Sequence, residues 1–137
     1  MPETTSTTKT IISVSFANLP ALGAPLDGGI FVGVITQPDD THSAVTLLPD
    51  RAQDLAWQAA KDWAESLNAQ MPTRPMAALI FANTQDRPQT GWHWTNEEHK
   101  DHASCAWYCY FDYGSQINFH KSYEGSAVAV RLIHITA

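Results

Sequence analysis

This sequence predicts an α+β fold with two helices, a mainly antiparallel sheet and an additional N-terminal strand, on three observations. Gly29-Ile30-Phe31-Val32-Gly33-Val34-Ile35 and Ser43-Ala44-Val45-Thr46-Leu47-Leu48 are β-rich runs separated by the turn-forming Gln37-Pro38-Asp39-Asp40-Thr41-His42. Two segments with helical signals follow. The last third then returns to rings and β-branched residues outside any helical period, from Gly91-Trp92-His93-Trp94-Thr95 through Ala106-Trp107-Tyr108-Cys109-Tyr110-Phe111-Asp112-Tyr113-Gly114 to Val128-Ala129-Val130-Arg131. Strands on both flanks of two consecutive helices define the class. With 137 residues, 44% of them hydrophobic, the chain can enclose one core, and one folded domain is expected.

The elements can be justified in order. Residues 3–10 are polar and Thr-rich and read as a tail. Thr10-Ile11-Ile12-Ser13-Val14-Ser15-Phe16 alternates as a strand does, with Ile12, Val14 and Phe16 on one face. Two prolines and a glycine make Asn18-Leu19-Pro20-Ala21-Leu22-Gly23-Ala24-Pro25 a connector. The two β-rich runs should pair as an antiparallel hairpin. Pro49-Asp50 then introduces a helix over about 51–67, with Asp50 as N-cap, Gln53 three residues on, and Ala52, Leu55, Ala56, Ala59, Ala60, Trp63 and Leu67 as its buried stripe. Pro72-Thr73-Arg74-Pro75 starts a second helix, with Pro75 in the first turn where its missing N–H costs nothing. Met76, Leu79 and Ile80 should face the core, and the helix should stop near Asn83. From Gly91 onward three or four strands are expected, with Tyr113-Gly114 and Glu124-Gly125 as turns.

Charge and composition exclude several function classes. A formal charge of -6, with only 8 Lys and Arg, provides no basic stripe for a phosphate backbone, so nucleic acid is not an expected partner. No run of about 18 apolar residues is present to span a bilayer, and the opening Met1-Pro2-Glu3-Thr4-Thr5-Ser6 lacks the basic and apolar regions of a secretory signal. The cysteines, Cys105 and Cys109, stand four apart in an expected strand, roughly 13 Å from each other at about 3.3 Å per residue. A disulfide needs Cα atoms within about 7 Å, so two buried, reduced thiols are expected.

Candidate chemistry concentrates near Trp92. Calcium requires six to eight oxygen ligands; Asn96-Glu97-Glu98 and Asp101 supply few, and a solvated acidic loop accounts for them. His93, His99 and His102 with Glu97, Glu98 and Asp101 are the densest set of transition-metal ligand types, but the His99-x-x-His102 spacing lacks the framework that makes such pairs diagnostic. No metal and no cofactor is therefore expected. A reactive thiol needs an electropositive, partly exposed setting, whereas Cys105 and Cys109 share a strand face with Trp107 and Phe111. If Trp94, Trp107 and Phe111 are core, then His93, Thr95, Tyr108, Tyr110, Tyr113, Gln116, Asn118, His120 and Tyr123 are the candidates for an exposed binding surface, of residue types that suit adaptable contacts on a rigid scaffold.

An ordered series of landmarks carries a family resemblance. Trp57 and Ala60 on a helix, Met71-Pro72-Thr73-Arg74, Trp92-His93-Trp94-Thr95, Ala106-Trp107-Tyr108 with Phe111 and Gly114, Lys121-Ser122, and Ala129-Val130-Arg131 together resemble the collagen-like-protein C-terminal (Lcl C-terminal) domain family, over roughly residues 28–134. The resemblance implies a C-type-lectin-like domain of the branch related to formylglycine-generating enzymes, common in adhesins and bacteriophage proteins, with variation in retroelement-diversified members placed in this C-terminal region. A glutamate usual after the Thr-Arg pair is replaced here by Pro75-Met76. Residues 1–27 lie outside the pattern and are expected to form an arm for assembly or docking, with residues 28–137 as the lectin-like domain. The function implied is a non-enzymatic binding or structural module of a virion that meets a host receptor or neighbouring subunits. The alternatives are a cysteine-dependent oxidase of the formylglycine-generating type and a phage accessory protein that binds a host protein in the bacterial cytoplasm. The apolar Ile11 to Phe16 strand further suggests homo-oligomers, since an uncovered strand invites pairing.

Overall fold

The computed structural model describes residues 13–84 and 91–137. Its strands are β1 (Ser13–Ser15), β2 (Pro25–Leu26), β3 (Gly29–Thr36), β4 (His42–Leu55), β5 (Trp92–Glu98), β6 (Cys105–Tyr110), β7 (Ser115–His120) and β8 (Gly125–Thr136), and its helices are α1 (Trp57–Ser66) and α2 (Arg74–Asn83). The strands form a mixed sheet in the order β2-β3-β4-β8-β5-β6-β7, with β1 alongside β8. Neighbours pair antiparallel except for β1 and β5, which run parallel to β8. The α+β class, the two helices, the mostly antiparallel sheet and the N-terminal strand expected from the sequence are all present.

The run Ala127-Val128-Ala129-Val130 in β8 is buried at every position. Successive strand residues point to opposite faces, so a continuously buried run must be covered on both. Val128 and Val130 pack with Val32, Val45, Leu47, Met76, Ala77 and Ile80, placing α2 on one face. Ala127 and Ala129 pack with Trp57, Ala60, Ala64, Trp94 and Tyr108, placing α1 on the other. The small alanines admit the tryptophans of the α1 side, and the valines fill the α2 side.

The second helix agrees with its sequence signals: Pro75 stands in the first turn, Met76 and Ile80 are buried, Leu79 packs against the same cluster, and Asn83 is the last residue. The first helix starts later than expected. Residues 51–55 extend β4, with Arg51, Ala52 and Leu55 opposite Val128, Ala127 and Gly125. Asp50 is therefore a strand residue and no N-cap, and Ala52 and Leu55 leave the helical stripe. Pairing with the buried β8 outweighs the helical period of this stretch. Ala56 occupies the N-cap without a side-chain bond, and the Trp57 N–H donates instead to the Lys121 carbonyl.

Of residues 1–27, expected to form an arm for assembly or docking, Ser13–Ser15 and Pro25–Leu26 pair into the sheet as β1 and β2. Ser13, Val14 and Ser15 stand opposite His134, Ile135 and Thr136, while Val14, Leu19 and Leu26 pack on a small core of Phe31, Ala44, Ile133 and Ile135. Phe16 starts a short 3-10 turn and is exposed, so it does not share the inward face of Val14. Ile11 and Ile12 lie outside the described residues.

Burial of both faces of β8 makes it intolerant of volume change in either direction. Ala129→Leu should cost about 1–3 kcal/mol by overpacking under α1, and Val130→Ala about 2 kcal/mol through the cavity left under α2. Urea denaturation checks both; an unchanged midpoint in either variant would contradict the two-sided core.

Candidate functional site

The sheet half made of β5, β6 and β7 carries most of the expected site residues, and its register assigns each to a face. Trp92 lies opposite Tyr110, Trp94 opposite Tyr108, Tyr108 opposite Ile117, and Ala106 opposite Phe119. Directly opposed residues share a face, so these side chains all lie on the α1 side. Cys105, Trp107, Cys109, Gln116, Asn118 and His120 occupy the α2 side by the same alternation.

On the α1 side the rings form one connected strip. Tyr113 meets Tyr110 edge-on at 5.1 Å between centroids, and Tyr110 stacks on Trp92 at 4.5 Å and 11°. Trp92 meets Phe119 edge-on at 5.7 Å, and Phe119 meets Tyr123 edge-on at 5.1 Å. These offset and edge geometries are the favoured ones for aromatic pairs. Tyr108 underlies the strip, 5.0 Å from Phe119 and 4.1 Å from Trp94. The strip is anchored at its centre and open at its ends: Tyr113 is 75% and Tyr123 57% exposed. Gly114 shapes the first end, with φ of +79° and a position where a Cβ would come within 2.7 Å of Phe81. The strip therefore offers a contact face of rings whose rotamers are restrained by their neighbours.

The nine expected binding residues separate into three groups. Tyr110, Tyr113 and Tyr123 belong to the strip. His93, Thr95 and Tyr108, expected at the surface, are buried instead. Alternation places them away from their neighbours correctly, but both faces of the sheet are covered here, so facing away from one core means facing another. Gln116, Asn118 and His120 point to the opposite face from the strip. Of the three expected core rings, Trp94 and Phe111 are fully buried, in the α1-side and α2-side clusters respectively, whereas Trp107 is only partly buried. Trp92 and Phe119, the central rings, were not among the sequence candidates; the signal for Trp92 was its spacing of two from Trp94.

The α2 side holds a polar cluster that completes the structure. The Arg74 guanidinium lies 3.6 Å over the Trp107 ring, and its Nε donates to Gln116 Oε1 at 2.9 Å. Gln116 Nε2 donates back to the Arg74 carbonyl at 2.9 Å. Glu97 Oε2 accepts from the Arg74 backbone N–H at 2.7 Å, supplying the N-terminus of α2 with the carboxylate that Pro75-Met76 do not provide. An open recess of about 320 Å³ is bounded by Arg74, Glu97, Glu98, His99, Lys100, Asp101 and Trp107. His99 stacks on Trp107 and lies 4.9 Å from the His102 ring. Among the described residues no three His, Cys, Asp or Glu side chains converge as metal ligands would.

Two groups show what burial does to reactivity here. Cys109 is buried, and desolvation pushes its thiol up to about 11 despite a hydrogen bond with Gln116. About one molecule in a thousand would then carry the thiolate at pH 8. Cys105 is partly exposed, and both cysteines are free thiols. His93, wedged edge-on against Phe111 at 4.9 Å, is pushed down to about 4 by burial, and its Nδ1–H donates to the Gly91 carbonyl at 3.3 Å. Its ring is a neutral core group at pH 7.

No protein-family model matches this chain, and none of the curated proteins matches its sequence significantly. No helix among the described residues is long and apolar enough to cross a membrane.

Burial of a neutral His93 makes stability acid-sensitive. Between pH 6.5 and 4 the unfolded chain binds a proton there that the folded chain refuses, so stability falls as pH falls through this window, by about 3 kcal/mol at its foot. In His93→Leu this part of the decline should vanish. Urea titrations of both proteins at pH 7 and pH 4 check it, and identical pH dependence would show that His93 is not held neutral. For the thiols, Cys109 should resist a thiol reagent at pH 8 until denaturant is added; labelling of Cys109 in the folded protein at the rate of a free thiol would restore a nucleophilic role.

Proposed function

We propose that this chain is a non-enzymatic C-type-lectin-like binding module of the Lcl C-terminal type, a bacteriophage virion protein that uses the Tyr113-Tyr110-Trp92-Phe119-Tyr123 strip to contact a host receptor or a neighbouring virion subunit. The observation that carries the reading is the strip itself: connected rings, stacked in the middle and exposed at both ends, on a sheet that fixes their positions. Tyrosine and tryptophan provide large contact area with little entropy to lose, and the polar hydroxyl tips keep such a face compatible with water. The ordered landmarks of the sequence support the family assignment. Arg131, one of them, donates to the carbonyls of Leu67, Asn68 and Asp27 and so ties the end of α1 to the loop before β3. Gly114, another, supports the turn that presents Tyr113.

The test is affinity capture from purified particles and from host-cell envelopes, comparing the intact protein with Tyr110→Ala/Tyr113→Ala/Tyr123→Ala and, from the opposite face, with His120→Ala. The strip variant should keep its fold by circular dichroism and lose at least ten-fold in retention, while His120→Ala retains its partner. Equal capture by the strip variant would remove the aromatic face from function.

A further inference from the structure

The two ends of the sheet are finished differently. At one end β2 has only two residues and begins with Pro25; short strands and proline are common protections of an exposed edge. At the other end β7 is six residues long, Ser115-Gln116-Ile117-Asn118-Phe119-His120, with no proline and no Lys, Arg, Asp or Glu. Its pairing to β6 runs without a break from Ser115 to His120, whereas the β3–β4, β4–β8 and β5–β6 ladders each contain a register shift. Nothing in β7 bends or charges this edge.

The direction of its backbone groups follows from one bond. The Lys121 N–H donates to the Ser104 carbonyl across the β6–β7 ladder. In an antiparallel pair, inward-bonding residues alternate with outward-facing ones. Ser115, Ile117 and Phe119 therefore bond to β6, and Gln116, Asn118 and His120 direct their backbone N–H and C=O away from the sheet. Among the described residues the only backbone partner found for these outward groups is Tyr123, whose N–H donates to the His120 carbonyl in the following turn.

We infer that β7 pairs with β7 of a second copy of this chain, antiparallel about a two-fold axis at Asn118, to make a homodimer with one continuous sheet. This register places Asn118 opposite Asn118 of the second copy and Gln116 opposite its His120, so every outward residue of the strand is used. It also sets Ile117, 41% exposed in the single chain, directly opposite the second copy's Phe119 on the α1 side. That pair falls at a non-hydrogen-bonded position, where opposed side chains are closest. No like charges oppose one another within β7. Both copies present their α1 sides in the same direction, so the two aromatic strips lie side by side. The inference rests on the edge and its register, not on what the strips bind.

Sedimentation velocity over a concentration series is the test. The intact protein should rise from 15.1 kDa toward twice that mass. Asn118→Lys and Asn118→Asp, each folded by circular dichroism, should stay at the single-chain mass because like charges meet at the axis, and an equimolar mixture should recover the dimer. Asn118→Cys should also form a covalent dimer on mild oxidation, since opposed Cα atoms in a hydrogen-bonded pair stand about 5.5 Å apart, whereas Gln116→Cys should not. An intact protein that stays at 15.1 kDa at every concentration overturns the inference, as does a dimer that both charged variants retain.

Discussion

The structure depends on the burial of β8 from both sides. A strand that alternates Ala with Val, with no solvent-facing side over Ala127–Val130, requires a layer on each face, and α1 and α2 are those layers. The same strand joins the two halves of the sheet, with β4 along one edge and β5 and β1 sharing the other. The aromatic strip is positioned through this arrangement. Trp94, fixed under α1, donates its indole N–H to the Leu55 carbonyl, and Trp57 at the start of α1 donates its own to the Thr95 carbonyl. These bonds tie β5 to α1 and to the end of β4, and β5 carries Trp92, on which the strip is centred.

Both helices also take charge from strands that lie far away in sequence. Neither has an acidic residue in its first turn or a basic one in its last. Glu97 of β5 supplies the first at α2, and Arg131 of β8 supplies the guanidinium at the end of α1. Helix ends and sheet are therefore mutually dependent, since neither helix supplies charged residues of its own to complement its ends.

This dependence explains what was legible in the sequence. The β3–β4 hairpin, α2 and the four C-terminal strands were readable because local signals agree with the tertiary environment: a turn-rich linker, a proline in the first helical turn, β-branched and aromatic runs between turns. The start of α1 was not readable, because Asp50 and Gln53 imitate a capping box while their segment is held extended by β8, a partner 70 residues on. The site was legible in part. Tyr110, Tyr113 and Tyr123 were identified, but His93, Thr95 and Tyr108 were placed at the surface because period-two alternation separates two faces without telling whether either meets water. The Arg74, Trp107 and Gln116 cluster was invisible for the same reason as the caps: its members are distant in sequence and meet only through the fold.

The central position of β8 has a consequence for synthesis. Strands β4 and β5, which flank it, leave the ribosome well before residue 125, and until β8 arrives each exposes an edge meant for the same missing strand. Vectorial synthesis therefore delivers two incomplete half-sheets that cannot close stepwise as they emerge. A chain that stops short of Gly125 is left with open edges and uncovered helix faces, the features by which nascent chains aggregate or engage chaperones.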